Sequence, residues 1–262
     1  MFTAEQQSEF EATGIARLPA AIAPPALSAM REALWAELAR SHAIREHEPE
    51  TWREPRPSGF QALAKRGALA AMASPAVRGA LDDVFGTRGW DEPGRWGQPL
   101  VCFPESGAWS VPRASWHLDF AGAPAQPLAA VRVFAFLTRL EARGGATLAL
   151  AGSYRLVQRL AERAGGTLRS SQARRQLAAL DPWLAALERD DGCDREQRFM
   201  LKGAVVEGVP LRVAELCGEA GDVLLMRTDT LHTMSKNVRA VPRLVVAQFV
   251  TRAGASIRAR EE

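Results

Sequence analysis

Two segments that lie far apart in the chain carry side chains that together could bind a metal ion. The first, residues 115–119, reads Ser-Trp-His-Leu-Asp, and the second, residues 229–232, ends in a histidine. On an extended strand His117 and Asp119 would project from the same face, because side chains alternate with a period of two. With His232 they would form a set of two imidazoles and one carboxylate. This set leaves positions open on Fe(II) and is typical of non-haem iron oxygenases.

The contexts of the histidines separate two of them from the rest. The chain has four histidines, and His42 and His47 lie in a charged stretch that is typical of an exposed helix end or loop. An isolated His-x-Asp sequence is common without any metal. His117 and His232, however, occupy apolar, strand-like contexts, where an unpaired imidazole would be costly. Arg243 follows His232 by eleven residues, and this combination is more specific than any one of its parts.

Further stretches of the chain occur in an order that points to a family. Residues 2–19 combine a helix, a glycine and a strand that ends in proline, and residues 144–154 form a glycine-led strand that ends in Ala-Gly-Ser-Tyr. A Gly-Asp pair opens the strand at 221–226, and His232 is followed by Asn237 and by the pair Pro-Arg that ends at Arg243. This arrangement resembles the phytanoyl-CoA dioxygenase-like (PhyH) family of Fe(II)/2-oxoglutarate-dependent oxygenases.

The resemblance implies a reaction and a set of ligands. His117, Asp119 and His232 would hold Fe(II) as the catalytic metal triad, and the guanidinium of Arg243 would bind the distal carboxylate of the co-substrate 2-oxoglutarate. The enzyme would use O2 to hydroxylate, or otherwise oxidise, a small-molecule substrate while 2-oxoglutarate is decarboxylated to succinate and CO2. The retained carboxylate of Asp119 favours hydroxylation over halogenation. For Arg243 the alternative is a surface arginine, but its strand is apolar and a buried arginine there needs an anion.

Three other residues are candidates for contacts with the cofactor or the substrate. By similarity to the family, Phe134 would form an aromatic wall beside 2-oxoglutarate, although an ordinary core phenylalanine is an equal alternative. Arg132 shares the face of Phe134 and is a candidate for binding a substrate or cofactor carboxylate, unless it lies on the outer face. Met234 occupies the position where a serine commonly helps to hold 2-oxoglutarate, so either Thr233 or Ser235 replaces it or Arg243 acts with other partners.

Two other classes of protein remain open. One is a cupin-type metal-dependent hydrolase or isomerase that uses the same barrel without 2-oxoglutarate, and Arg243 argues against it. The other is a jelly-roll binding protein whose catalytic site has decayed, and the intact set of three ligands argues against that.

The elements that must position these residues change along the chain from helices to strands. We expect helices at 3–13, 24–40, 62–72 and 75–85 and a helical insert at 155–198. Strands are predicted at 99–104, 114–120, 130–139, 146–150, 200–206, 211–216, 222–226, 229–233 and 243–251. Helices followed by many short strands predict a mainly β fold with flanking helices, a double-stranded β-helix (cupin-like jelly roll). We expect one domain over 1–262, with a helical part at 1–95 and the jelly-roll core at 96–252.

Composition excludes several classes of partner. The 262-residue chain has a net charge of +3 with interspersed signs, which gives no basis for nucleic-acid binding. No apolar run is long enough to span a membrane, and the N-terminus does not resemble a signal peptide. The three cysteines imply no disulfide framework. We therefore expect a cytoplasmic monomer or homodimer that acts on a small molecule, with segments 41–60 and 155–198 at the rim of its site.

Overall fold

The N-terminal helices cover one face of a β-sheet in the computed structural model, which describes residues 1–120, 123, 128–189 and 192–255. The helices are α1 (Ala4–Thr13), α2 (Pro24–His42), α3 (Gln61–Lys65) and α4 (Pro75–Phe85). A capping box between Thr3 and Gln6 starts α1, and Gly14 ends it in a left-handed conformation. The predicted helix 62–72 is shorter in the structure, because Gly67 has a φ of +68° and an α-helix does not continue through that conformation. A separate 3-10 turn, Ala70–Met72, follows.

The strands form two antiparallel sheets. They are β1 (Ile15–Leu18), β2 (Trp90–Asp91), β3 (Gln98–Cys102), β4 (Ala130–Phe136), β5 (Thr147–Ala151), β6 (Ala204–Val206), β7 (Val209–Glu215), β8 (Val223–Arg227), β9 (His232–Met234) and β10 (Arg243–Arg252). The larger sheet has the order β1-β8-β4-β10-β2, with β3 also paired to β10. The smaller sheet has the order β6-β7-β5-β9. Non-consecutive neighbours in both sheets show that the chain passes repeatedly from one sheet to the other.

Alternation along the strands sorts the side chains into three apolar layers. On β4, Val131 and Val133 face α1–α4 and pack with them. Phe134 and Phe136 point the other way, into the space between the sheets, and Val245 and Ala247 of β10 join them there. This inner face is the one on which the candidate site residues of the larger sheet lie.

The helical insert supports the outer face of the smaller sheet. It consists of α5 (Ser153–Arg163), α6 (Ser170–Leu180) and α7 (Pro182–Ala186). Leu148 and Leu150 of β5 pack with buried residues of these helices. Most of the insert is therefore a structural layer, and the expectation that the whole of it forms the rim of a site is wrong. Among the described residues no helix is both long enough and apolar enough to span a membrane.

Three strand predictions differ from the structure. Of the predicted strand 229–233, residues 229–231 are not part of a strand, and β9 begins at His232. The predicted strand 200–206 begins with a π-helical turn, Gln197–Lys202, so that only Ala204–Val206 is extended. Residues 114–120 are not a strand, because Ser115 adopts a φ of +66° and His117 makes only an isolated bridge. The His-x-Asp segment consequently obtains its geometry from a different source, described below.

A buried glutamate ties α2 to α3. Glu37 is 2% exposed and accepts hydrogen bonds from Arg40, from Ser41 at 3.0 Å and from Arg66 at 3.0 Å. The bond from Arg40 is the main reason why the pKa of Glu37 falls from 4.5 to about 2, although burial opposes that shift. A carboxylate whose pKa is depressed in the folded state stabilises the fold above its unfolded pKa, and this stabilisation is lost as the pH falls towards the folded value.

We therefore predict that Glu37→Gln lowers the free energy of unfolding at pH 7 by about 1–3 kcal/mol, the range for hydrogen bonds to a charged group. The difference from the wild-type protein should shrink as the pH is lowered from 4.5 towards 2. Urea denaturation at several pH values measures it. Glu32→Gln, at an exposed position of the same helix, is the control and should change little. An equal loss in both variants would contradict the assignment.

Candidate metal centre

The three predicted metal ligands lie together in the structure. One ligand atom each from His117, Asp119 and His232 can be chosen such that all lie within 4.8 Å of one another. Nε2 of His232 is 3.4 Å from Oδ2 of Asp119, and Nε2 of His117 is 3.8 Å from Oδ1. Both imidazoles therefore direct the same nitrogen towards one carboxylate. The His-x-Asp pair and the distant histidine converge, as the spacing of the sequence predicted.

Backbone hydrogen bonds to both sheets hold the His-x-Asp segment. The N–H of His117 donates to the carbonyl of His232 at 2.9 Å, and the N–H of His232 donates back at 3.0 Å. Two residues later, the N–H of Asp119 donates to the carbonyl of Thr228 at 3.1 Å, just beyond the end of β8. The segment thus crosses from the edge of the smaller sheet to the larger sheet. This crossing replaces the strand predicted at 114–120.

Contacts with nearby backbone carbonyls set the tautomer of the two imidazoles. Nδ1 of His117 lies 2.8 Å from the carbonyl of Ser115, and Nδ1 of His232 lies 3.0 Å from the carbonyl of Thr230. A carbonyl only accepts, so Nδ1 carries a proton in both rings, and the lone pair of each ring in its neutral form is on Nε2. Nε2 of His232 is buried and has no hydrogen-bond partner among the described residues. Two such nitrogens beside one carboxylate fit a first-row divalent metal ion.

Asp119 is ionised and forms an ion pair with Arg132. Burial raises the pKa of Asp119, but the contact with His232 and the charges of His232, Arg132 and His117 together lower it to about 2. Nη1 of Arg132 donates to both carboxylate oxygens, at 3.0 and 3.1 Å. Its guanidinium also lies 5.3 Å from the ring centre of Phe134 and 4.8 Å from that of Phe249. That Arg132 contacts a substrate stays a prediction: its Nη1 is bonded to a metal ligand, but its Nε has no hydrogen-bond partner among the described residues.

Arg243 is a buried cation on the inner face of the larger sheet. It is 2% exposed, and its donors reach the carbonyl of Gly145 at 2.9 Å and the hydroxyl of Thr147 at 3.1 Å. Its Nε has no partner, and no acidic side chain of the described residues forms an ion pair with it. Burial is the main cause that lowers the pKa of Arg243, to about 10. An arginine in this state can still accept an anion from outside the protein.

The register of the smaller sheet locates Arg243 relative to the metal ligands. Thr147, which Arg243 contacts, lies two residues before Ala149, and Ala149 pairs directly with His232. Two residues along a strand span ~7 Å. Arg243 therefore contacts β5 at the inward-facing position next to the one that pairs with a metal ligand.

A buried asparagine fixes the start of the strand that carries Arg243. The amide of Asn237 donates to the carbonyls of Cys102 at 3.0 Å and Val241 at 2.9 Å. Cys102 is in turn the cross-strand partner of Arg243. Gly145 must be a glycine, because its φ is +81° and an added Cβ would lie 3.0 Å from Asn237. These two residues of the family-like pattern therefore act by holding Arg243 in place.

The two hydroxyls that were expected to help bind a co-substrate lie elsewhere. Thr233 pairs with Leu148, which belongs to the outer layer, and its hydroxyl donates to the carbonyl of Ala114 at 3.2 Å. The prediction for Thr233 is wrong because successive side chains alternate between the faces of a strand, and His232 occupies the inner one. The hydroxyl of Ser235 donates to the carbonyl of Ala146 at 2.9 Å. Phe134 lies on the inner face, where it packs with Phe136, and its contact with 2-oxoglutarate stays a prediction.

Two cavities adjoin the site. One, of about 320 Å³, includes Arg243 and Met234 in its lining together with residues 56–60 of the expected rim. The other is an open cleft of about 890 Å³ beside His117, and it includes Arg174 of the helical insert. Arg56 and Met234 line both. The sequence analysis did not identify Arg56, which lies in a proline-rich stretch without any motif.

We predict that His117→Ala, Asp119→Ala and His232→Ala each weaken the binding of Ni(II) by at least about 100-fold, since loss of outer-shell partners alone costs 10- to 100-fold. Calorimetric titration of metal-free protein provides the measurement. His47→Ala, at an exposed position outside the cluster, should bind as the wild type does. Affinity should also fall as the pH is lowered, because the ligands must be deprotonated. Unchanged binding in any of the three variants would remove that residue from the metal site.

Comparison with known proteins supports the fold. No family model matches the sequence, and none of the curated proteins matches it significantly. AviO1 from Streptomyces viridochromogenes Tue57 is similar in structure, with a TM-score of 0.59 and 14% identity over 99% of this chain and 100% of that chain. HygX from Streptomyces hygroscopicus, solved with nickel and 2-oxoglutarate bound, gives 0.57 and 14% over 97% and 88%.

A third similar structure is SnoK, described as a non-haem alpha-ketoglutarate-dependent carbocyclase from nogalamycin biosynthesis. Its TM-score is 0.55, with 16% identity over 98% of this chain and 87% of that chain. At this level of identity the likeness concerns the fold. The chain has a double-stranded β-helix core flanked by helices, which confirms the fold class predicted from the sequence.

Proposed function

We propose that the protein is a non-haem Fe(II)/2-oxoglutarate-dependent oxygenase that hydroxylates, or otherwise oxidises, a small-molecule substrate. One juxtaposition carries the proposal: a cluster of two histidines and one aspartate lies close to a buried arginine that has no acidic partner among the described residues. A metal-dependent hydrolase of the same fold would have no use for that buried cation. Two proteins of this fold support the proposal: HygX has been solved with nickel and 2-oxoglutarate bound, and SnoK is an alpha-ketoglutarate-dependent carbocyclase.

Each residue has a definite part in this proposal. His117, Asp119 and His232 would hold the iron, through both Nε2 atoms and a carboxylate oxygen. Arg243 would bind the distal carboxylate of 2-oxoglutarate through donors that the protein leaves unpaired. When bound, iron and 2-oxoglutarate supply the oxygen activation that oxidises a substrate and yields succinate and CO2.

The inner surface around Arg243 favours the binding of a carboxylate. Phe134, Phe136 and Leu224 make the space between the sheets apolar, and the attraction between opposite charges increases in such surroundings. Gly145 and Thr147 hold the guanidinium in one orientation. The protein thereby orients the arginine before the anion arrives, so little ordering is needed on binding.

A finer proposal concerns the family. The order of His-x-Asp, the glycine-led strand, the second histidine, Asn237 and Arg243 resembles the PhyH-like oxygenases, and we place the chain near them. The contacts of Gly145 and Asn237 support this proposal, because both residues serve the position of Arg243. The tyrosine at 154, where the family often has histidine, contacts no ligand of the cluster. Its hydroxyl donates to the carbonyl of Glu11.

The proposed activity predicts that iron-loaded protein releases succinate from 2-oxoglutarate in air and releases none under anaerobic conditions. Arg243→Ala should weaken the binding of 2-oxoglutarate by about 2–4 kcal/mol, or roughly 30- to 700-fold, because it removes one partner of a buried charge pair. Arg239→Ala, at an exposed arginine in the loop that precedes β10, is the matched control. Succinate is quantified by chromatography, and 2-oxoglutarate binding by titration of Ni(II)-loaded protein.

Two results would contradict the proposal. One is succinate release that continues without oxygen, since the reaction requires O2. The other is equal affinity for 2-oxoglutarate in the wild type and in Arg243→Ala while Arg239→Ala is also unchanged. The second result would leave the metal centre intact but would remove the co-substrate from Arg243.

A further inference from the structure

The open cleft beside His117 is lined by an excess of positive charge. Four basic residues contribute to its wall: Arg56, Arg113, Arg174 and Lys236. No acidic residue is among the described residues that line it. The chain as a whole has nearly equal numbers of basic and acidic residues, 33 and 30. The excess at the cleft is therefore a local feature and does not follow from the composition.

The basic residues differ in how far the protein neutralises them. Arg174 is held by Glu188 through two hydrogen bonds of 2.6 and 2.8 Å, so its charge is largely balanced. Arg56 reaches Glu105 at a longer distance of 3.3 Å and also donates to the carbonyl of Ser235. Within the part of the chain that the structure describes, no acidic side chain lies within ion-pair distance of Lys236. A positive potential therefore remains on the side of the cleft where Lys236 and Arg56 lie.

The same cleft also offers apolar surface close to the metal ligands. Val111 and Pro112 form part of its wall, and the side chain of Met234 is on the strand face that His232 occupies. Trp116, next to His117, is fully buried and its indole N–H donates to the carbonyl of Pro112 at 2.9 Å. The wall is thereby held in shape from behind. A ligand that matches this surface has an apolar body and at least one negative charge.

We propose that the substrate is a small molecule with an anionic group, either a carboxylate or a phosphate ester, which binds in this cleft beside Lys236 and Arg56. The inference rests on the proposed oxygenase function and specifies the substrate class for that site. It does not concern Arg243, which is assigned to the co-substrate and lines the other cavity. The anion would be held at the mouth while the apolar body lies towards His117 and Met234.

Binding of three probes of similar size tests this proposal. The probes are phenylacetate, phenyl phosphate and the uncharged phenylacetamide, titrated into Ni(II)-loaded protein in excess 2-oxoglutarate, which occupies any site at Arg243. We expect at least one anion to bind about tenfold or more tightly than the amide, because hydrogen bonds between charged groups are stronger than neutral ones. Raising the salt concentration should weaken only the binding of the anions. The comparison of the two anions identifies which group the cleft prefers.

Variants of matched charge locate the binding. The double variant Lys236→Gln with Arg56→Gln should lose at least about fivefold of the preference for the anion over the amide, as expected for the loss of charge-assisted bonds. The control is Lys202→Gln with Arg139→Gln, which removes the same charge at exposed positions that line neither cavity. It should keep the preference. Equal affinity for all three probes overturns the proposal, and so does a preference that the cleft variant retains.

The result of the probe-binding test can be separated from the results that test the proposed oxygenase function. Succinate release and 2-oxoglutarate binding test the oxygenase, whereas the probe preference tests the cleft and needs no turnover. A protein that binds anions through Lys236 and Arg56 but never releases succinate keeps the anion site and loses the oxygenase. A protein that releases succinate but binds the amide as well as the anions keeps the oxygenase and loses the anion site.

Discussion

The reciprocal backbone hydrogen bonds between His117 and His232 determine where the metal ligands lie. They place the two rings 4.2 Å apart between centres and extend the edge of the smaller sheet by one residue pair. Asp119 then reaches the larger sheet through its bond to Thr228. The rest of the centre follows from this crossing, because the ligands belong to a segment that is attached to both sheets. The strained backbone at Ser115 lets the chain enter the crossing.

The buried basic side chains of the site also come from both sheets. The larger sheet supplies Arg132 and Arg243, both on its inner face, and the smaller sheet supplies His232. Arg132 already has an anionic partner in Asp119, whereas Arg243 has only a carbonyl and a hydroxyl. A buried guanidinium with incomplete partners costs folding free energy, and such a cost is common where a site is organised for a ligand. Arg132 is thus neutralised by an acidic side chain of the protein, whereas Arg243 is left to bind an anionic ligand.

Much of the fold and the three metal ligands could be predicted from the sequence, because hydrophobic periodicity and the spacing of His117, Asp119 and His232 are local or motif-like signals. The backbone contacts that set the geometry of these ligands could not be predicted. Nothing in the sequence indicates that Ser115 is left-handed or that Asp119 bonds to Thr228, since both depend on tertiary contacts. Thr233 was misassigned although the alternation of side chains along a strand puts it on the face opposite to His232. Arg132 was placed on the correct face, but its bond to Asp119 is a long-range contact that no pattern records.

The crossing segment also has a consequence for how the molecule can open. His232 belongs to one sheet and Asp119 is attached to the other, so an ion held by both would act as a cross-link between the two halves of the sandwich. Local opening of the sheets would then require either release of the ion or rupture of the backbone pair at His117. Amide hydrogens at the facing edges would exchange more slowly in the loaded protein than in the metal-free one, while those of α1–α4 would not be affected directly. The metal would thus hold the two sheets together at this end of the sandwich, in addition to its role as the reactive centre.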